Sequence, residues 1–176
     1  DSHYINGDGI LIGNNILSAH PTKPYKDFNL LNDQIKMRYV DIDNDRNTFS
    51  SSSAALKLPS RDAKIIKATL YWTAVYPFKT GTRKQRSNEI IYYGAGKREP
   101  DFDQVLLKTP GGDYQEVQGQ IIFDGIQYDS YTDSAPYIAY AEVTELLNNS
   151  SVTEGEYTVA NIRATEGFVS GGASAG

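Results

Sequence analysis

The sequence predicts an all-β, sandwich-like antiparallel domain of jelly-roll or immunoglobulin-like type. Three observations carry that prediction. No window sustains the 3.6-residue apolar period of an amphipathic helix. Short alternating runs recur every ~10 residues between clusters of turn residues, as in sandwiches and barrels. The aromatic supply is rich in residues that favour strands, with 13 Tyr, 6 Phe and one Trp.

The elements follow in chain order. Asn6-Gly7-Asp8-Gly9 is turn chemistry, then Ile10–Ile12 reads as a strand and Gly13-Asn14-Asn15 turns again. Residues 21–35 carry two prolines and read as a surface loop. Ile35–Ile42 and Ser52–Leu58 alternate as strands. Ile65–Tyr76 is long, aromatic and β-branched, which places it at the centre of a sheet. Lys79–Asn88 reads as a polar loop, and its Arg83-Lys84-Gln85-Arg86 tetrad as a solvated hairpin loop. Glu89–Tyr93, Gln104–Thr109, Tyr114–Val117 and Gln120–Phe123 are strands, with Pro110-Gly111-Gly112-Asp113 as a hairpin turn. Tyr128–Ala135 is a polar loop. Tyr137–Val143 and Gly155–Ala164 are strands, separated by a helical turn at Thr144–Leu147 with Thr144 as its N-cap.

Residues 1–176 make one β-rich domain, with 167–176 as a loop or flexible tail. The glycine-rich ending reads either as a terminus or as a loop whose next strand is missing. The domain is then incomplete at its C-terminal end and is the N-terminal part of a larger protein.

Composition excludes several classes. The net charge is -5, so a nucleic-acid binder with a basic face is not expected. There are no cysteines, which removes disulfides, thiol catalysis and thiolate metal sites. No apolar run approaches the ~20 residues of a transmembrane segment.

Catalytic patterns are weak. The two histidines, His3 and His20, sit beside turn residues and belong to no recognisable motif. Asp101 with Asp103, and Glu142 with Glu145, are the candidate carboxylate pairs for a glycosidase-like site. No catalytic residue is assigned.

Asp41, Asp43 and Asp45 alternate, and in an extended backbone they would share one face. Calcium takes six to eight oxygens, so these carboxylates are candidate calcium ligands. A true EF-hand loop is rejected, because its glycine position is Arg46 and its glutamate position is Ser52. The alternative is a turn whose Asp, Asn and Ser side chains bond nearby backbone N–H groups. Trp72 shares a side of its strand with Leu70, which favours the core over a sugar platform. Asn148 and Asn149 head glycosylation sequons, and Ser134 lies in an Asp-Ser-Ala motif of the kind used for O-glycosylation in the Bacteroidota.

Five stretches in order, "NGDGILIGNNILS", "VDIDNDRNTFSSSSAALKLP", "AKIIKATLYWTAVY", "VLLKTPGGDYQEV" and "EGEYTVANIRATEG", resemble one family. It is the N-terminal domain of very large cell-surface adhesins of the Bacteroidota, including SprB-like gliding-motility adhesins exported by the type IX secretion system. The resemblance implies a secreted, non-catalytic domain on the outer cell surface that serves adhesion and gliding motility. It implies the outer-membrane translocon as a partner during export, and a surface polysaccharide or other extracellular ligand. The alternative function is a carbohydrate-binding module of a secreted polysaccharide-degrading enzyme, with Trp72 exposed.

Overall fold

The computed structural model describes residues 7–23, 29–60 and 62–176. Its strands are β1 (Leu17–Ser18), β2 (Arg38–Tyr39), β3 (Ser51–Leu56), β4 (Thr69–Val75), β5 (Thr80–Arg86), β6 (Glu89–Ala95), β7 (Gln104–Lys108), β8 (Tyr114–Gln118), β9 (Gln120–Asp124), β10 (Pro136–Glu142), β11 (Gly155–Ala160) and β12 (Glu166–Gly167). One short helix, α1, spans Thr144–Asn148.

Two larger sheets form the sandwich. One has the order β4-β10-β9, the other β3-β11-β7-β8. Every pairing within them is antiparallel. Trp72, Ala74, Tyr137 and Ala139 from the first sheet share one core with Val105, Leu107, Val117 and Tyr157 from the second. The alternation is clean in β10, where Tyr137, Ala139 and Ala141 are buried and their neighbours are not. The all-β expectation holds, and no barrel closes.

Gly119 joins β8 to β9, where the chain passes from one sheet to the other. A Cβ there would lie 2.2 Å from the Trp72 ring and 3.0 Å from Tyr140 O. The indole occupies the space a side chain would need, so only glycine fits without a shift.

A third sheet, β12-β5-β6, flanks the sandwich. Met37 and Gly167 exchange backbone hydrogen bonds and tie it to the segment around β2.

Three sequence expectations are corrected. Ile10–Ile12 forms no strand, and Leu11 is 97% exposed. Residues 80–86, expected as loop, are strand β5, because β6 supplies a seven-residue antiparallel ladder that polar residues occupy as readily as apolar ones. The loop shrinks to Ser87-Asn88, with Ser87 at φ 48. Thr144 does not cap α1; its hydroxyl exchanges hydrogen bonds with the backbone of Ala68 instead.

The structure also decides between the two readings of 167–176, loop or flexible tail. Gly171 and Gly172 turn the chain at φ 79 and 98. Ser174–Gly176 then lies along the edge of β4, with Val75 N donating to Ser174 O at 2.9 Å and Thr73 N to Gly176 O at 2.9 Å. Ile16 N donates to Ala175 O from the other side. Val169 and Ala173 are buried. The segment is a packed loop, not a flexible tail.

Candidate functional site

The aspartate–serine loop connects β2 to β3. The run is not extended throughout, because Asn44, between Asp43 and Asp45, adopts φ 52 and bends the chain there. Asp41 and Asp43 converge on one hydroxyl: Ser51 Oγ lies 3.0 Å from Asp41 Oδ1 and 2.9 Å from Asp43 Oδ1. The same oxygen accepts from Ile42 N. Asp45 turns to accept from the backbone and side-chain amides of Asn47.

Tyr114, from β8, completes the loop by donating to Asp43 Oδ2 at 2.6 Å. Burial alone would raise the Asp43 carboxyl, but the hydrogen bonds from Tyr114, Ser51 and Asp45 N outweigh it and hold the group below the ordinary carboxylate range. Burial first, then the Asp43 acceptor, pushes the Tyr114 phenol up, so it stays a donor at neutral pH.

Donors therefore do here what a cation was expected to do. Among the described residues, no group of three or more His, Cys, Asp or Glu side chains is placed to hold a metal ion. The extended backbone on which the calcium reading of Asp41, Asp43 and Asp45 was based is broken at Asn44. The bonding matches the alternative reading of a turn built on its own Asp and Asn side chains. The serine run follows that reading in part. Ser50 Oγ accepts from Asn161 N and Ser53 donates to Glu156, while the buried Ser52 hydroxyl has no partner among the described residues.

Beside the loop lies a cleft of about 600 Å³. Asp41 and Phe49 of the loop line it, with Tyr39, Lys79, Glu99 and Arg163. Several of its charges are paired or hydrogen-bonded. Arg163 reaches Asp101 at 2.6 Å, and Lys79 pairs with Glu99. Glu166 accepts from Tyr39 N at 3.3 Å. The Tyr39 hydroxyl is spent on the backbone of Ala164, donating at 2.7 Å and accepting at 2.8 Å. The Arg163 guanidinium beside Asp101 holds that carboxyl below its usual value. A general acid needs a shift in the opposite direction.

The other candidates are dispersed. Asp101 is an ion-pair partner of Arg163. Glu142 accepts from Thr144 and lies 4.0 Å from Lys67. His20 is an exposed residue in an isolated bridge with Lys23, and His3 lies outside the described residues. Asn148 and Asn149 are exposed at the end of α1. Ser134 is half-buried in a turn, its N–H and hydroxyl both donating to Tyr131 O.

Trp72 is 1% exposed and donates from Nε1 to Phe102 O at 3.1 Å. It is core, and a platform built on it is ruled out. A group of exposed aromatic rings lies on the opposite side of the same sheet. Tyr71 is 62% exposed and stacks on its cross-strand neighbour Tyr140, with centroids 5.9 Å apart. Phe123 stacks on Tyr128 at 5.6 Å and meets Tyr131 edge-on at 5.8 Å. Ile138 lies between the two groups, opposite Thr73 on β4 and Phe123 on β9. Both tyrosines of the second group are about half exposed.

This face was not predicted. Its signal was present in the alternation of Ile65–Tyr76, which puts Tyr71 opposite in sense to Trp72. Tyr128 and Tyr131, by contrast, come from a segment that read only as polar loop.

Against family models, curated proteins and solved structures, the chain has no match.

Proposed function

We propose that this chain is a non-catalytic binding domain of an extracellular, cell-surface adhesin, and that the outward face of β4-β10-β9 is its ligand-contacting surface. One observation carries the binding role. The solvent face of an antiparallel sheet is ordinarily polar, and here it presents Tyr71, Tyr140, Ile138, Phe123, Tyr128 and Tyr131 together. Contiguous exposed apolar surface of this kind marks interaction sites. The hydroxyls of Tyr71, Tyr128 and Tyr131 add hydrogen-bonding groups at the edges of the rings, which suits a surface polysaccharide. The adhesin assignment, with gliding motility and type IX export, rests on the five ordered stretches of sequence. The lowered Asp101 carboxyl, held by Arg163, supports a non-catalytic role.

The same face supports the second reading, a carbohydrate-binding module of a polysaccharide-degrading enzyme, with tyrosines in place of Trp72. Two measurements test and separate these. Binding to a panel of neutral polysaccharides should weaken at least tenfold in Tyr71→Ala/Tyr140→Ala, with the unfolding midpoint little changed. Unchanged binding removes the face from the function. Antibody labelling of intact source cells, with the mass of the labelled polypeptide, then decides: a surface species of hundreds of kilodaltons supports the adhesin, and a species released into the medium with hydrolase activity supports the module.

A further inference from the structure

A second surface, unrelated to the aromatic face, carries a different specificity. Beyond Arg83 the β5–β6 hairpin stands clear of the body, with Lys84, Gln85, Arg86, Glu89 and Ile90 all exposed. Its base is anchored: Arg83 donates to Asp33 O at 2.7 Å, and its guanidinium lies 4.4 Å over the Phe168 ring. The outer half has no packed face, and a two-stranded ribbon is marginal by itself.

The charge is concentrated here. The chain has a net charge of -5, yet Arg83, Lys84 and Arg86 fall within the seven residues of β5. Alternation puts Lys84 and Arg86 on one face. The ladder sets Ile91 and Glu89 opposite them, and Tyr93 opposite Thr82. Lys84 Nζ sits 5.8 Å over the Tyr93 ring. Among the described residues, neither Lys84 nor Arg86 is in a salt bridge.

We propose that this arm is a contact element for an acidic polysaccharide. Carboxylate or sulfate groups pair with Lys84 and Arg86, and a sugar ring packs on Tyr93. The distribution of charge selects among polyanions. Duplex nucleic acid carries one charge per ~1.7 Å of axis and needs a broad basic face. The acidic remainder of this domain repels such a partner. A polysaccharide with more widely spaced charges can touch the arm alone.

The probe is polygalacturonate, titrated into the full 176-residue chain. Binding should weaken about tenfold or more between about 50 and 200 mM salt. K84E/R86E should weaken it at least tenfold at low salt, and K57E, an exposed charge just beyond β3, less than twofold. K84Q/R86Q serves if the double reversal unfolds the arm. Tyr71→Ala/Tyr140→Ala should leave this binding unchanged, so failure of the two proposals is distinguishable. Equal binding by parent and arm variants overturns the inference, as does absence of binding at low salt. Displacement of polygalacturonate by a lower concentration of duplex DNA also overturns it.

Discussion

Removing the charge of Asp124 should destabilise the domain by about 3–5 kcal/mol, because it strands a buried arginine. The Arg98 and Asp124 side chains are 10% and 12% exposed and meet at 2.8 Å. The Arg98 guanidinium lies 3.8 Å over Phe102, 5.5 Å from the Tyr137 ring and 5.7 Å from Tyr76. Its Nε and Nη2 atoms are buried without a hydrogen-bond partner among the described residues. The aromatic cage attracts the cation by about 2 kcal/mol at a desolvated site, but only Asp124 neutralises it there.

Asp124→Asn keeps the shape and the acceptor that caps the turn through Ile126 N. Its cost therefore isolates the charge, while Asp124→Ala adds about 1 kcal/mol for the lost cap. With a urea slope of about 2 kcal/mol per molar, the midpoint should fall by about 1.5–2.5 M. Trp72 fluorescence reports the transition, since this single tryptophan is buried in the core. Arg98→Met/Asp124→Asn should recover most of the loss, because no unpaired charge remains. The reasoning fails if Asp124→Asn costs under about 1 kcal/mol, or if the double variant loses the full sum of the single losses.

Two further predictions concern the loop and the crossing. The Asp43 carboxyl is lowered in the fold, so its contribution to stability is complete above the unfolded value of ~3.9 and disappears as pH falls through the folded value. Tyr114→Phe removes the 2.6 Å hydrogen bond and should move the Asp43 titration upward in carboxylate NMR; identical midpoints would show that Tyr114 does not set it. Gly119→Ala should destabilise the domain by about 1–3 kcal/mol through overpacking against the Trp72 ring. Gly119→Ala/Trp72→Phe should be less than additive in chemical denaturation, because the smaller ring gives the new methyl room.

The sequence by itself determined the class of the fold and most of its strands. Alternation in 69–75, 104–108 and 136–142 is local, since each residue's side follows from its neighbours. It also determined that Trp72 faces inward with Leu70. Tertiary structure decided what depends on remote partners. β5 is a strand because β6 pairs with it, although its own residues read as loop. The carboxylates of Asp41 and Asp43 are bound by Ser51 and by Tyr114, which lies 71 residues from Asp43. Residues 174–176 are ordered by the edge of β4 and by Ile16, neither of them near in the chain. The aromatic face needed both kinds of information: Tyr71 was readable from its strand, and only the β4-β10 register and the turn after β9 brought Tyr140, Tyr128 and Tyr131 beside the same sheet.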